Sequence, residues 1–234
     1  MTKNLIKQTF TIKETQCTLI SDQQKAIEAA LISINCSRRE LETYIKNHFE
    51  FLYSLKPILP PRKPIVAKLM AEAAQKAGVG PMAAVAGAIA DLAVNEMKNV
   101  GCDVAVVENG GEIAAYSNIP VKVAVSAGDE PLSKHFGFRL AEFPIGVATS
   151  SGRFSHALSF GDAEAATVFC KNAALADAAA TAVGNVVKGE NATAGIKAGI
   201  EKGLSIEGVE GILIIYKGKV GIAGKIPDII KVEA

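Results

Sequence analysis

The sequence predicts an α+β fold in which a layered, mixed or antiparallel sheet is packed by alanine-rich helices. Short β-branched segments occur near both ends of the chain, and helical segments precede or interrupt them. This order is typical of an α+β or layered α/β domain. Ala and Gly are abundant and Trp is absent, which indicates close helix packing around small side chains. No stretch resembles a flexible linker, so residues 1–234 are predicted to form a single domain.

The composition argues against several classes of function. The formal net charge of +1 gives no reason to expect a nucleic-acid partner, and no run reaches the roughly 20 apolar residues of a membrane span. The first residues lack the apolar core of a signal peptide. The four cysteines lie far apart without CxxC spacing, so we expect reduced thiols. These features indicate a cytoplasmic protein with neither a nucleic-acid nor a membrane partner.

The first part of the chain is predicted to be a hairpin followed by helices. Gln8 to Ser21 alternates polar and β-branched residues around a polar centre, which predicts the hairpin. Asp22 to Ile34 places apolar residues on one stripe, as expected for a helix that covers a sheet. Ser37 and Glu40 have capping-box spacing, so a second helix is predicted to begin at Ser37.

A glycine-rich junction separates the next two helices. One helix is predicted from Pro64 to Gly78, and Gly80 precedes Pro81, which suits the first position of a new helix. The unpaired N–H groups at the start of that helix would suit a phosphate or carboxylate. The alternative is a helix junction in which the glycines serve only the backbone conformation.

A second glycine pair follows a β-branched strand. At Gly110 and Gly111 the missing Cβ atoms would let a ligand approach the main chain closely, and Glu112 can accept a hydrogen bond from it. The alternative is an ordinary turn after a strand.

The middle of the chain is predicted to contain short strands and a polar loop. Ile113 to Tyr116 and Val121 to Ser126 are predicted strands, and Phe138 to Thr149 is predicted to be a strand pair or an edge strand. The loop from Ser150 to His156 is rich in hydroxyl groups, and its Arg153 is a suitable partner for a phosphate or carboxylate. It is either a binding loop or a solvated turn.

A polar pair interrupts the alanine-rich helix predicted from Ala173 to Val187. Asp177 and Thr181 are four residues apart, which puts both on one helix face among alanines. An unpaired buried carboxylate is costly, so one interpretation is a Mg²⁺ site with these two side chains as oxygen ligands. In the alternative, Thr181 bonds back to its own helix and Asp177 is a cap or is exposed.

The two alanine-rich helices are similar to each other. The segment Ala88 to Ala93 echoes Ala174 to Ala179, and a predicted strand follows each helix, which indicates an internal duplication of a helix–strand unit. A helix from Glu190 to Lys202 and a hairpin centred on Lys217 and Gly218 close the chain.

The order of these segments resembles the ApbE-type FAD:protein FMN transferases, and more closely an uncharacterised family related to them. Four pieces, GAIAD, VENGGE, GVATSSG and ALADAAATAV, occur in that order between Gly80 and Val187. The resemblance implies an ApbE-like fold, a small-molecule flavin or nucleotide ligand such as FAD, and a Mg²⁺ ion beside its diphosphate. In those transferases the FMN part of FAD passes to a threonine of a target protein.

The resemblance also implies site residues in this chain. The metal ligands would be Asp177, Thr181 and a main-chain carbonyl at Ala88 or its neighbour. The other cofactor-binding positions are Gly80, Gly110, Gly111, Glu112, Thr149, Ser150, Ser151 and Arg153.

The chain departs from the family at two positions, which we regard as candidate catalytic residues. Asp91 stands where the family has a lysine after its GxIA segment, and the His-x-x-Asp-Pro signature is reduced to His156. Three hypotheses follow. The protein catalyses a Mg²⁺-assisted FMN transfer or FAD cleavage, it binds a flavin or another anionic metabolite without chemistry, or it is a structural homo-oligomer whose alanine-rich helices pack against a second copy.

Overall fold

The computed structural model describes residues 4–13, 15–124, 136–151 and 161–231, which form eleven strands and six α-helices. The strands are β1 (Ile6–Ile12), β2 (Thr15–Ser21), β3 (Val104–Asn109), β4 (Glu112–Ser117), β5 (Val121–Ala124), β6 (Phe136–Leu140), β7 (Ile145–Ser150), β8 (Ala165–Cys170), β9 (Val209–Tyr216), β10 (Lys219–Gly224) and β11 (Asp228–Lys231). The helices are α1 (Gln24–Ile45), α2 (Phe49–Tyr53), α3 (Ile65–Ala77), α4 (Val85–Asn99), α5 (Ala173–Val186) and α6 (Ala192–Leu204).

The strands form two antiparallel sheets. The large sheet has the order β1-β2-β3-β4-β7-β8-β9-β10, and the small sheet has the order β11-β6-β5. Neighbouring strands are antiparallel throughout both sheets. The prediction of an α+β fold with an antiparallel sheet is therefore confirmed.

The large sheet is the middle of three layers. Alternate residues of its strands, such as Val107 and Ala114, join the helices in one core cluster. The residues between them, such as Val106 and Ile113, pack with the small sheet in a second cluster. Because successive side chains of a strand point to opposite faces, the helices cover one face of the large sheet and the small sheet covers the other.

The prediction that a second helix begins at Ser37 is wrong. A single helix, α1, runs through that position, and Ser37 is buried in its middle. Neither glycine nor proline lies between the predicted helices, so nothing in the backbone stops the first one. The aromatic end of the predicted helix forms the separate short helix α2.

The glycine junction is confirmed in part. Gly78 ends α3 in the left-handed conformation, with a φ of 77°. The next helix does not begin directly at Pro81, because Pro81–Ala84 forms a 3₁₀ turn before α4 starts at Val85. Gly80 is required there by packing, since a Cβ atom on it would lie 1.8 Å from the carbonyl oxygen of Ser54.

Two strands were not anticipated from the sequence, and one predicted pair is divided between the sheets. The strands β8 and β11 carry no clear alternation of polar and apolar residues. The predicted strand pair from Phe138 to Thr149 corresponds to β6 in the small sheet and β7 in the large one. Of the strand predicted from Val121 to Ser126, β5 covers the residues up to Ala124, and the remainder lies outside the described residues.

The large sheet repeats one arrangement. The hairpin β1-β2, a group of helices and the hairpin β3-β4 are followed by the hairpin β7-β8, two helices and the hairpin β9-β10. This order agrees with an internal duplication. The duplicated unit differs from the predicted one, because α6 lies between α5 and β9, so no strand directly follows the second alanine-rich helix.

Within the described ranges, no single helix has the length and apolar character of a membrane span. The helix pair Ile65–Ala77 and Pro81–Asn99 reaches that length and composition only when taken together, and it is bent by 104°.

Candidate functional site

The candidate site lies where α4 and α5 cross. Gly87 in the first turn of α4 makes this crossing possible, because a Cβ atom there would lie 2.2 Å from the carbonyl oxygen of Ala173. Only glycine lets the two backbones approach so closely. The same approach brings the first turn of each helix beside the side chains of the other.

Each helix carries an aspartate that caps the start of the other helix. Asp91 on α4 accepts hydrogen bonds of 2.8 Å from the N–H groups of Ala173 and Ala174, one to each carboxylate oxygen. Asp177 on α5 accepts a hydrogen bond of 3.0 Å from the N–H group of Gly87 through Oδ2. These N–H groups belong to first turns and have no partner within their own helix. The sequence echo between the two helices therefore reflects reciprocal capping.

The glycine turn is fixed beside the start of α4. Gly110 and Gly111 connect β3 to β4 with φ angles of 70° and 111°, which glycine adopts without strain. The buried side chain of Asn109 donates a hydrogen bond of 2.9 Å to the carbonyl oxygen of Ala86 and accepts one of 3.1 Å from the Cys17 thiol. Asn109 thus connects the strand end to the helix start and brings the turn next to the Asp177 carboxylate.

Glu112 adds a second carboxylate to this place. It begins β4 two residues before Ala114, so its side chain points to the helix face of the sheet. Burial and then the charge of Asp177 hold its pKa well above the usual range of a glutamate. The two carboxylates therefore repel each other when both are ionised.

The pKa of Asp177 is also raised. This pKa is about 7, and burial is the main cause of the rise; the Gly87 and Ala86 N–H groups act in the opposite direction, and the charge of Asp91 contributes to the rise. Burial likewise raises the pKa of Asp91 to about 6, although the hydrogen bonds from the Ala173 and Ala174 N–H groups act in the opposite direction. Neighbouring half-buried carboxylates are stabilised by a proton or a cation, so this place favours a cation over an anion.

The other predicted metal ligands lie on the same two helices. Thr181 is half-buried one turn beyond Asp177 on α5, and Ala88 is fully buried within α4. Within the ranges that the structure describes, no group of three or more His, Cys, Asp and Glu side chains is arranged to hold a metal ion. Protein carboxylates alone therefore do not form a closed metal cage among these residues.

The polar segment at the end of β7 is divided between the two faces of the sheet. The Thr149 hydroxyl lies 2.9 Å from the Thr167 hydroxyl, and its position after Ala148 puts it on the face of the small sheet, away from Asp177. Ser150 lies on the helix face by the same alternation, and Ser151 is buried. The predicted Arg153 and His156 lie outside the described residues.

Two functional features are not evident from the sequence. The first is that Asp91, which stands in place of a family lysine, caps the start of α5. The second is the close approach of Gly87 to the backbone of Ala173, which no local sequence pattern predicts. The signal is present as a repeated spacing, since each aspartate lies four residues after the residue at the crossing, Gly87 or Ala173. The sequence alone shows that spacing as a repeat, without a contact to explain it.

Comparison with known protein families gives a match over most of the chain. A family model described as AbpE bacteria matches residues 3–220. UPF0280 protein MJ1526 of Methanocaldococcus jannaschii is 40% identical over 232 residues, which cover 97% of this chain and 94% of the relative. A UPF0280 protein of Methanosarcina acetivorans is 39% identical over 232 residues, which cover 97% and 90% of the two chains.

Solved structures share the fold at much lower identity. The apo form of the flavinyl transferase ApbE of Pseudomonas stutzeri has a TM-score of 0.62 at 16% identity, with 94% of each chain covered. The ApbE protein of Thermotoga maritima has a TM-score of 0.57 at 14% identity, with 94% of this chain and 97% of that chain covered. These similarities confirm the ApbE-like fold.

Proposed function

This chain belongs to the AbpE bacteria family, and on that basis we propose that it binds FAD or a related flavin nucleotide together with Mg²⁺ where α4 meets α5. One observation carries the proposal: Asp177 and Glu112 place two carboxylates together beside the glycine turn, in an interface that the reciprocal caps hold in place. The fold supports a flavin as the ligand class, because similar structures are described as flavin transferases.

The residues present fit a Mg²⁺ ion that the ligand helps to hold. Mg²⁺ is usually bound by one or two carboxylates together with substrate phosphates and water, so a closed protein cage is unnecessary. Asp177 and Thr181 would supply side-chain oxygens, and Ala88 or its neighbour a carbonyl oxygen. Glu112, whose carboxylate neighbours Asp177, would bind the ion directly or through water.

The chain positions this site before a ligand arrives. The Gly87 N–H group fixes the orientation of the Asp177 carboxylate, and Asn109 fixes the turn against α4. Gly110 and Gly111 are exposed and carry no side chain, so a diphosphate can approach the main chain there. A bound Mg²⁺ would stabilise the negative charge that develops when the bond between the two phosphoryl groups of FAD breaks.

Binding without transfer is the second candidate, and Asp91 favours it. Both of its carboxylate oxygens are engaged by α5, at a position where the transferases it resembles have a lysine. A carboxylate used as a helix cap supplies no positive charge to a phosphate. On this alternative the protein holds intact FAD.

Incubation of the purified protein with FAD, with Mg²⁺ or with EDTA, tests both candidates. We expect FAD binding, followed by flavin fluorescence, to require Mg²⁺ and to be lost in Asp177→Ala. Release of AMP, measured by chromatography, assigns the transfer or cleavage reaction, whereas recovery of intact FAD assigns binding alone.

Asp228→Ala is the matched control. Asp228 is an exposed aspartate on the small sheet, paired with Arg139, so its removal should leave FAD binding unchanged. The proposal fails if wild-type protein does not bind FAD with Mg²⁺, or if Asp177→Ala binds it as wild type does.

A further inference from the structure

A cavity lies at the opposite end of β4 from Glu112. Its volume is about 370 Å³, and it is bounded by α3, α4, the end of β4 at Tyr116 and the residues before α5. Asp177, Thr181 and Glu112 do not line it. The cavity is therefore separate from the proposed flavin site, and its volume is at the lower end of the range for small-molecule sites.

The inner wall of this cavity is apolar. Val94, Ala114 and Leu175 line it, and all three are buried. Such a wall suits the hydrocarbon or ring part of a small molecule, because burying apolar surface there is favourable. A simple inorganic ion would leave this wall unused.

The mouth of the cavity carries positive charge. Lys76 from α3, Lys98 from α4 and Lys171 from the segment before α5 all line it and are exposed. The Nζ atom of Lys98 lies 4.6 Å from the centre of the Tyr116 ring, which holds the ammonium group at the cavity wall. Among the residues that the structure describes, no acidic side chain forms an ion pair with any of these lysines.

The two acidic residues of the cavity are already engaged elsewhere. Glu72 faces Lys68 on the same helix at 3.7 Å, and both oxygens of Asp91 accept hydrogen bonds from α5. The side-chain oxygen of Asn172 accepts a hydrogen bond from the N–H group of Leu175, so the NH₂ group of the Asn172 side chain remains as a donor. The lining thus carries three lysines against two carboxylates that have other partners, and the Asn172 amide adds a donor.

We propose that this cavity binds a small organic anion with at least two negative charges, a phosphate ester or a polycarboxylate. The charged groups of the ligand contact Lys76, Lys98 and Lys171, and its carbon skeleton packs on the apolar wall. Asp91 connects the two sites, because it lines this cavity and also caps the helix that carries Asp177.

Isothermal titration calorimetry at low ionic strength tests the proposal with three probes: inorganic phosphate, phenyl phosphate and citrate. We expect phenyl phosphate to bind more tightly than inorganic phosphate, because only the former uses the apolar wall. Tighter binding of citrate than of phenyl phosphate would identify a polycarboxylate as the ligand class, and the reverse would identify a phosphate ester. Lys98→Gln and Lys171→Gln should each weaken binding roughly 5-fold, as the loss of one exposed charge contact does.

Two control variants distinguish this site from nonspecific attraction by surface lysines and from the flavin site. Lys122→Gln removes an exposed lysine on the small sheet and should leave the affinities unchanged. Asp177→Ala should abolish Mg²⁺-dependent FAD binding and leave phenyl phosphate binding intact. The proposal is wrong if no probe binds at millimolar concentration, or if Lys122→Gln weakens binding as much as Lys98→Gln does.

Discussion

Asp91 and Asp177 hold matching places in α4 and α5, yet their surroundings differ in charge. Asp91 accepts two hydrogen bonds of 2.8 Å from the start of α5 and lines a cavity whose mouth carries lysines. The Gly87 N–H group, at 3.0 Å, and the Ala86 N–H group stabilise the Asp177 carboxylate, whose charge raises the pKa of the nearby Glu112. Both aspartates are thus helix caps. At the Asp91 end the cap is satisfied within the fold, whereas at the Asp177 end excess negative charge remains.

This difference indicates which end of the crossing is better suited to a ligand. Reciprocal capping explains why both aspartates are present, since each satisfies N–H groups at the start of the other helix. Capping does not explain Glu112, whose carboxylate only adds repulsion in a half-buried place. Residues that disfavour the folded state without a ligand are found at functional sites. The Asp177 end of the crossing is therefore the end that we assign to a ligand.

The largest expected effect comes from removing the crossing on which both aspartates depend. In Gly87→Ala the new Cβ atom would lie 2.2 Å from the carbonyl oxygen of Ala173, and backbone cannot move aside as a flexible side chain does. We expect a loss of about 3 kcal/mol or more in the free energy of unfolding, measured by urea denaturation. A variant with wild-type stability would show that the helices are farther apart than the structure has them.

Asp91→Ala should have the next largest effect, and the hydrogen bonds that it removes are all at the start of α5. It leaves two N–H groups at the buried start of α5 without an acceptor, which should cost about 2 kcal/mol, at the upper end of the range for a lost helix cap. Hydrogen exchange should become faster at the amides of Ala173 and Ala174. Unchanged exchange at both amides would contradict the capping role.

Asp177→Asn should have the opposite sign. The Asn side-chain oxygen can still accept the Gly87 N–H group, while the repulsion with Glu112 disappears. Because burial raises the pKa of Asp177 to about 7, we expect the variant to be roughly 1 to 2 kcal/mol more stable than wild type near pH 8 without Mg²⁺. The same variant should lose the stabilisation that Mg²⁺ gives to wild type. A less stable variant would mean that the carboxylate serves the fold, as Asp91 does.

Much of this architecture could be predicted from local sequence. Alternating polar and β-branched residues predicted the first hairpin, the turn at Lys217 and Gly218 predicted the last one, and the alanine-rich segments predicted α4 and α5. The same local reasoning failed at Ser37, where capping-box spacing occurs inside a helix that nothing interrupts. The strand β8 is buried along its whole length, so it lacks the alternation that marks a half-buried strand.

The candidate site was harder to predict because it depends on contacts distant in sequence. Asp177 and Gly87 are 90 residues apart, and Asn109 meets Ala86 only after β3 has returned along the sheet. The motif order brought Asp177 and Glu112 into one predicted site, but no sequence pattern showed that Asp91 caps α5. Thr149 illustrates the same limit, since its place in a polar loop motif did not reveal that it faces the small sheet.

The smallest expected effect is a dependence of stability on pH that separates the two ends. Asp177 has a folded pKa of about 7 and Asp91 one of about 6, both above the usual value for an aspartate. The native state therefore binds more protons than the unfolded state between about pH 4 and pH 7, so their contribution to stability is fully present below that window and is lost as the pH rises through it. Mg²⁺ is expected to compete with protons only at the Asp177 end.

In calorimetry, Mg²⁺ should raise the Tm of wild type more at pH 8 than at pH 5, by a few degrees, since about 1 kcal/mol shifts the Tm of a chain of this size by roughly 2 to 4 °C. Asp177→Asn should remove the Mg²⁺ effect on the Tm at both pH values, while the part of the pH dependence due to Asp91 should remain.

The contradicting outcome is a Tm of Asp177→Asn that Mg²⁺ raises as much as that of wild type. The cation would then bind elsewhere, and the assigned difference between the two aspartates would be wrong.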